Sequence, residues 1–208
     1  MPVKRERAAQ AETTRQTLLQ TARRLFAQQG YAEVSTDEVV RRAKVTKGAL
    51  YHHFANKLEL YVAVIEDMER ELMTAMEAAA RKHTEPEARL RAVCLAYLDA
   101  CLDSSLARLL VLEVPVVLGW KAWCDLAHKY EVGVLERHLS ELARAGRVRD
   151  DEPLQALAHV LLGALNTAAR VIATAPDPAD ARVRVEGTID RLLQGLVVRT
   201  APRTKKAI

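Results

Sequence analysis

The segment between Ser35 and Lys57 constrains the fold most strongly, because it has room for only two short helices. The first helix begins at the capping pattern Ser35-x-x-Glu38, in which hydroxyl and carboxylate each accept a backbone N–H. Thr46 is the expected N-cap of a second helix that runs to about Phe54. Because so few residues separate the two helices, the sequence predicts a helix-turn-helix.

Helical signals continue along the rest of the 208-residue chain. Ala, Leu, Arg and Glu dominate, and alternating β-branched runs bounded by turn dipeptides are missing, so an all-α fold is expected. Capping patterns, glycines and prolines divide it into about nine helices. Their expected ranges are 11–29, 35–43, 47–54, 56–82, 84–102, a short helix and a turn within 104–119, 120–145, 153–173 and 178–198. Gly30 is expected to end the first helix, and Thr84-x-x-Glu87 to cap the fifth.

Basic charge is concentrated at the N-terminal end of the chain. The first 60 residues contain 4 Lys and 7 Arg against 6 acidic residues, whereas the remainder contains 20 basic and 21 acidic residues. This distribution is expected where one end of a protein meets DNA phosphates.

Composition predicts a cytoplasmic protein with reduced thiols. No apolar run comes near the roughly 18 residues of a membrane span, and the charged start MPVKRERAAQ is unlike a secretory signal. The three cysteines, Cys94, Cys101 and Cys124, lack metal-binding spacing. On a helix the first two would have Cα atoms about 10 Å apart, too far for a disulfide. All three are expected on apolar faces, with a redox role as the alternative.

The second helix of the helix-turn-helix has two distinct faces. Leu50 and Phe54 are four residues apart and apolar, so they are expected to face inward. The opposite face then carries Gly48 and His52, flanked by Lys47, Ala49 and Tyr51. A glycine in mid-helix costs about 1 kcal/mol relative to alanine, and close approach to a partner would offset that cost. Beside it are a cation, a phenol and an imidazole, which bind phosphate oxygens and base edges.

The residues around this helix form a longer pattern. They are Phe26, Gly30-Tyr31, Val45-Thr46-Lys47-Gly48, Leu50-Tyr51, His53-Phe54 and Lys57. With this spacing, the run from Thr14 to Leu60 resembles the DNA-binding domain of the TetR family, whose pattern approximates F-x-x-x-G-Y … V-S/T-K-G-x-L-Y-x-H-F-x-x-K. The resemblance implies an all-α protein with an N-terminal three-helix DNA-binding domain and a larger helical bundle.

The resemblance also implies roles for single residues. The expected phosphate contacts are Lys47, Tyr51, His52 and Lys57; Gly48 and Ala49 come nearest the bases, and Thr36 and Thr46 cap their helices. The alternative for Tyr51 is packing on the fourth helix, and Arg41 and Arg42 are expected in solvent, with a phosphate contact open for Arg42.

Two residues depart from the family pattern. Lys44 stands where the family commonly has glycine and would be strained if the turn requires a positive φ. Val40 replaces a common alanine, and its extra bulk would alter the angle between the two helices. Both departures are expected to affect operator preference.

Four segments follow from the resemblance: a flexible N-terminus (1–10), the DNA-binding domain (11–60), a ligand-sensing and dimerisation domain (61–198) and a basic flexible tail (199–208). Wide apolar stripes on the last two helices predict an isologous four-helix dimer interface. The expected interface residues are Leu157, Leu161, Ala164, Leu165, Ala168, Ile189, Leu192, Leu193 and Leu196. The alternative is an ordinary internal core.

A ligand pocket is expected where polar or aromatic side chains interrupt apolar helix faces. These candidates are Tyr97, Cys101, Trp120, Trp123, His128, His159 and Asn166. Such a lining suits a small hydrophobic or aromatic effector, although each residue taken alone is more often part of the core or the surface than a ligand contact.

The sequence therefore predicts a homodimeric repressor that an effector releases from a palindromic DNA operator. The alternative is a DNA-binding regulator or architectural protein controlled by a protein partner, with no small-molecule ligand. An enzyme is not expected, because the sequence has no nucleophile–base constellation, phosphate loop or metal cluster. No cofactor is expected either.

Overall fold

A computed structural model describes residues 2–149, 151 and 153–197, and for residues 2–8 the backbone alone. Within these ranges the chain forms nine continuous helices and no strand, so the predicted all-α fold is confirmed. The helices are α1 (Pro2–Gln29), α2 (Thr36–Ala43), α3 (Lys47–His53), α4 (Lys57–Ala80), α5 (Pro86–Ala100), α6 (Ser104–Leu106, Ala107–Glu113 and Val114–Leu118), α7 (Trp120–Ala127, His128–Val132 and Gly133–Arg144), α8 (Leu154–Thr174) and α9 (Pro178–Leu196).

Two helix starts differ from the prediction. Helix α1 begins at Pro2 rather than near Ala11, because the Ala-, Arg- and Glu-rich residues before Ala11 are good helix formers. The N-cap of α5 is Glu85, without a side-chain cap bond, so the predicted Thr84 cap is wrong. Pro86 occupies the first helical position, where its missing N–H costs nothing. The predicted flexible tail (199–208) lies outside the described residues.

Helices α6 and α7 each contain a π-helical segment. In α6, Ala107–Glu113 is π-helical and passes into the α-helical turn Val114–Leu118. Pro115 lies at the start of that turn, so the chain continues through the expected break and ends at Gly119, whose φ is 81°. In α7 the π segment is His128–Val132. Such segments often occur at functional sites.

The chain divides into two compact units. The N-terminal unit comprises Met1–Arg70 and Asp103–Trp123, and the C-terminal unit comprises Glu71–Leu102 and Cys124–Ile208. The predicted boundary between residues 60 and 61 differs from this division, and α6 falls in the N-terminal unit.

Each unit has its own apolar core. In the N-terminal unit, buried side chains include Leu18, Ala22, Phe26, Leu50, Phe54, Tyr61 and Ile65. In the C-terminal unit they include Leu90, Val93, Leu98, Leu135, Leu139, Leu162, Leu165 and Ile172. Contrary to expectation, α8 is long and apolar enough to span a membrane by length and composition. Seven of its residues are buried in the unit's core, as in the core helices of many proteins.

Candidate nucleic-acid interface

Helix α3 is held by its cap and by its apolar face. The Thr46 hydroxyl accepts the backbone N–H of Ala49 at 3.1 Å. Leu50 and Phe54 are 0% and 2% exposed, and the Arg15 guanidinium lies 5.6 Å from the centre of the Phe54 ring. The predicted orientation of α3 is therefore confirmed, since its two apolar side chains face inward.

The opposite face of α3 is open to solvent. Lys47, Gly48, Tyr51 and His52 are exposed, and Ala49 is half-buried. The nearest atom to a Cβ built on Gly48 is the Thr46 hydroxyl oxygen, 3.9 Å away, so no other described residue covers the face at this point. A helix with a small residue at its exposed centre and hydrogen-bonding side chains around it suits a major groove.

The start of α2 places one predicted residue differently. Ser35 is the N-cap, and its hydroxyl accepts the N–H of Glu38 at 3.1 Å. Thr36 is therefore the first helical residue rather than the cap that was predicted. Its hydroxyl lies 3.5 Å from the Tyr51 hydroxyl, which orients the phenol toward the exposed face.

The Lys57 ammonium is hydrogen-bonded to backbone carbonyls of the protein itself. Its ammonium donates to the carbonyl oxygens of Tyr31 (2.8 Å), Ala32 (3.2 Å) and Val34 (2.9 Å). It also lies 4.3 Å from the centre of the Tyr31 ring. All three N–H bonds are thus used to fasten the loop between α1 and α2, and the predicted phosphate contact has no free donor.

The turn between α2 and α3 carries local strain. Lys44 has φ 56° and ψ 39°, in the left-handed region, and is the one non-glycine residue with a positive φ in the described ranges. That conformation costs about 1–2 kcal/mol for a residue with a Cβ. In this conformation the N–H of Lys44 donates to the carbonyl oxygen of Arg41, and the N–H of Val45 donates to the carbonyl oxygen of Val40. The strain expected for Lys44 is therefore present, and tertiary packing must maintain it.

Acidic residues of α2 contact the cations of the interface. Lys47 Nζ lies 2.7 Å from an Asp37 carboxylate oxygen, and this carboxylate raises the pKa of Lys47. Arg41 and Arg42 lie 3.7 and 3.8 Å from Glu38 and are more than half exposed, as expected for solvated side chains.

A clamp formed by Arg108 and Glu113 of α6 holds the end of α1 within the N-terminal unit. Arg108 Nη1 donates to the carbonyl oxygens of Ala27 (3.1 Å) and Gln28 (2.9 Å). Its Nε donates to Glu113 at 2.9 Å, and Glu113 accepts the N–H of Tyr31 at 3.1 Å. Sequence reasoning missed this clamp, because its partners are about 80 residues apart along the chain.

The predicted ligand residues fall into three groups rather than one site. Tyr97 and Asn166 share a 2.5 Å hydrogen bond, and the Cys101 thiol donates to the Tyr97 carbonyl. Trp120 and Trp123 belong to the N-terminal unit, with ring centres 4.8 Å apart, and Trp120 is 71% exposed. His128 and His159 are exposed and stacked, with ring centres 5.7 Å apart.

The Glu131 carboxyl lies beside Tyr97 of the first group. Sequence reasoning did not include Glu131 among the ligand residues.

A cavity of about 610 Å³ lies elsewhere in the C-terminal unit. Its lining includes Leu90, Arg91, Leu142, Asp190 and Leu193, and none of the seven predicted ligand residues. Arg91 is paired there with Asp190 and Glu186 at 2.6 Å.

The cysteines are free. Burial raises the pKa of both Cys94 and Cys101 to about 12, so their thiols are unreactive. Cys124 is exposed, against the expectation that it would lie on a covered apolar face.

The predicted interface residues of α8 and α9 are mostly covered within a single chain. Leu161, Leu165, Ala168, Ile189 and Leu193 are buried; Leu157, Ala164 and Leu196 are half-buried; and Leu192 is 48% exposed. The apolar stripes of α8 and α9 therefore pack largely into the core of their own unit, which was the alternative to a dimer interface. A dimer interface on these helices stays a prediction, and only their other faces are free to form it.

Comparison with known proteins supplies the decisive observation. Residues 18–64 match the model of bacterial regulatory proteins of the tetR family, and residues 87–196 match the tetracyclin repressor-like C-terminal domain. The chain belongs to the TetR family. It is therefore a DNA-binding transcriptional regulator with a helix-turn-helix, as the pattern around α3 predicted.

Individual proteins are similar to this chain in sequence or in fold. The chain is 34% identical to a TetR-family transcriptional regulator from Pectobacterium atrosepticum, with a TM-score of 0.80 over 92% of this chain and 97% of that one. It is 30% identical to the transposon Tn10 TetC protein of Escherichia coli, over 66% of this chain and 70% of that protein. The regulator FadR of Bacillus subtilis, solved with stearoyl-CoA, is 16% identical with a TM-score of 0.71 over 88% and 97%, which shows the shared fold.

Replacing Asp37 by asparagine in this TetR-family regulator is expected to raise its affinity for DNA about threefold. The substitution frees the Lys47 ammonium and removes a negative charge close to the expected DNA phosphates. The exposed ion pair that is lost contributes little to the stability of the fold. Fluorescence anisotropy with a labelled operator measures the change. Glu85→Gln, an exposed acid of the C-terminal unit, is the control; weaker binding by Asp37→Asn alone would instead make Asp37 a required support for Lys47.

Proposed function

We propose that this regulator is a homodimeric repressor that inserts α3 of each subunit into the major groove of a palindromic operator. The observation that carries the proposal is the uncovered face of α3, with Lys47, Tyr51 and His52 exposed around Gly48. Gly48 and Ala49 would come nearest the base edges, and Lys47, Tyr51 and His52 would bind phosphates. Lys57 then acts indirectly, by fixing the loop that precedes α2.

Dimerisation would use the exposed faces of α8 and α9. Along α8, residues Ala156, Val160, Gly163, Thr167 and Val171 are exposed at helical spacing. Val160 and Val171 are 70% and 50% exposed, and on α9 Val183 and Leu192 are 70% and 48% exposed. Small residues between exposed apolar ones permit close helix approach, and a self-complementary pair of such faces gives a four-helix interface.

We further propose that a small hydrophobic or aromatic effector binds the C-terminal unit and releases the operator. The structural neighbours of this chain include a protein solved with resorcinol and one with stearoyl-CoA. An effector would act by favouring a conformation in which the two α3 helices no longer fit successive grooves. Thermal unfolding against a library of hydrophobic compounds tests this step. Persistent absence of any stabilising compound would favour control by a protein partner.

The test of operator binding is anisotropy titration with the DNA that flanks this protein's own gene, against random DNA of equal length. If each subunit neutralises about three phosphates, log K should fall with log salt with a slope of about −5. A palindromic segment should bind far more tightly than random DNA at every salt concentration. Equal affinity for both, or a response flat with salt, would contradict operator recognition through α3.

A further inference from the structure

The cavity of about 610 Å³ lies between the ends of three helices of the C-terminal unit. Each helix contributes one buried leucine to its lining: Leu90 near the start of α5, Leu142 near the end of α7 and Leu193 near the end of α9. Charged and polar side chains form the rest of the wall. The volume falls in the range of sites that hold a compact ligand, so the space needs an occupant of matching chemistry.

The charges of the cavity wall are paired with one exception. Arg91 contacts Asp190 at 2.6 Å, and Arg147 is paired with Glu87. Glu85, the N-cap of α5, is exposed, and its carboxylate has no ion-pair partner among the described residues. Three carboxylates and two guanidinium groups thus line the cavity. Because the unpaired charge is negative, the wall favours an occupant that carries spare positive charge.

The chain itself leads to this cavity. Val197, the last described residue, is part of the wall. Its φ of −84° and ψ of 119° are extended, so α9 ends there and the backbone leaves the helical path. Residues 198–208 follow directly, and eleven residues span up to about 36 Å when extended. The 198–208 segment therefore begins at the cavity and needs no linker to reach it.

The composition of the 198–208 segment complements the wall. The segment has no acidic residue and four basic ones, namely Arg199, Arg203, Lys205 and Lys206. Val198 and Ile208 add apolar side chains, and Pro202 disfavours a helix at the residue before it. A basic chain with apolar side chains matches a cleft that combines buried leucines with an unpaired carboxylate.

We propose that the 198–208 segment docks into this cavity of its own chain. A basic side chain of the segment binds Glu85, and its apolar side chains pack against Leu90, Leu142 and Leu193. Docking of this kind needs little intrinsic affinity, because a directly connected segment has an effective concentration on the order of millimolar. The inference goes beyond the proposed function, since it depends neither on DNA recognition nor on effector control.

Tryptic cleavage of the full-length protein tests the docking, because the basic residues of the segment are trypsin sites. Mass spectrometry follows the cuts after Arg199 and Arg203, and a synthetic peptide of residues 198–208 is the undocked reference. Both bonds should be cut at least about tenfold more slowly in the protein than in the peptide, because a docked segment must open before it is cleaved.

Two variants of the cavity wall should restore fast cleavage. Glu85→Lys reverses the unpaired charge, and Ala88→Phe fills part of the cavity that Ala88 lines. Each should raise the cleavage rate at least about fivefold, toward that of the peptide. Glu33→Lys, the same charge change at an exposed acid of the N-terminal unit, should leave the rate unchanged. Because Glu85 is exposed and makes no side-chain cap bond, Glu85→Lys decides the question if Ala88→Phe does not fold.

Photo-cross-linking locates the segment. With p-benzoylphenylalanine in place of Ala207, irradiation should join the segment to residues 85–91 or 142–147 of the same chain, in a product with the mass of one chain. A product of two chains would show that the segment docks on a second copy and would overturn the proposal. Cleavage as fast as in the peptide, or a rate unchanged by both wall variants, would overturn it too. None of these measurements involves DNA, so operator recognition is tested separately.

Discussion

Replacing Lys47 and Tyr51 together by alanine is expected to weaken operator binding about 100-fold, because each subunit would lose the two phosphate contacts proposed for it. The effect is nearly uniform across DNA sequences, since phosphate contacts carry no base information. Losing one lysine per subunit should also reduce the salt slope by about 2 for the dimer. Anisotropy titration at several salt concentrations measures both quantities.

The double variant should remain folded and dimeric, because both side chains are exposed and neither belongs to the apolar core. Lys82→Ala, which removes an exposed cation from the C-terminal unit, is the charge-matched control and should bind like the parent protein. Operator affinity unchanged at physiological salt in the double variant would exclude α3 as the recognition helix.

Gly30→Ala is expected to destabilise the N-terminal unit by about 2–3 kcal/mol. Gly30 has φ 91°, which is unfavourable for any residue with a Cβ. The new Cβ would lie 2.8 Å from Arg108 Nη2 and 3.0 Å from the Glu113 carboxylate. Relieving these contacts requires Arg108 to move and thus weakens its bonds to the α1 carbonyls. Both tryptophans of the chain lie in the N-terminal unit, so urea unfolding followed by their fluorescence reports on it.

Gly119→Ala separates the two causes. Gly119 belongs to the same unit and also has a positive φ, 81°, but a Cβ there would meet no atom within 4 Å. Its φ of 81° with a ψ of 164° lies in a region that is essentially restricted to glycine, so the substitution should cost about 1–3 kcal/mol from the backbone alone. In an Arg108→Ala background the extra cost of Gly30→Ala should disappear. A cost of Gly30→Ala that is unchanged in the Arg108→Ala background would show that the clamp is too soft to matter.

The helix-turn-helix could be predicted because its signals are local. Ser35 and Thr46 cap helices within three residues of themselves, and the inward direction of Leu50 and Phe54 follows from helical spacing alone. Lys57 was misassigned because its partners precede it by more than twenty residues. A family pattern marks such a residue as important without saying whether it contacts DNA or the chain itself.

The C-terminal unit was harder to predict because burial there depends on long-range packing. The apolar stripe containing Leu161 and Leu165 was assigned to a partner subunit, whereas the unit's own core covers it. Glu131 had a usable signal, since it lies four residues before Leu135 on an apolar face. A charged residue in such a position indicates either a buried partner or a ligand, and the sequence alone does not distinguish them.

The Arg108–Glu113 clamp limits how DNA-binding domains can be exchanged between regulators. The N-terminal unit is discontinuous in sequence, because Asp103–Trp123 belongs to it while the segments on both sides belong to the C-terminal unit. A chimera joined at Arg70 would transplant α1 to α3 and the first part of α4 but leave Arg108 and Glu113 to the recipient. The last carbonyl oxygens of the transplanted α1 and the N–H of Tyr31 would then need hydrogen-bond partners from α6 of the recipient protein. DNA specificity can therefore be transferred between such proteins only if both segments of the N-terminal unit come from the same parent protein.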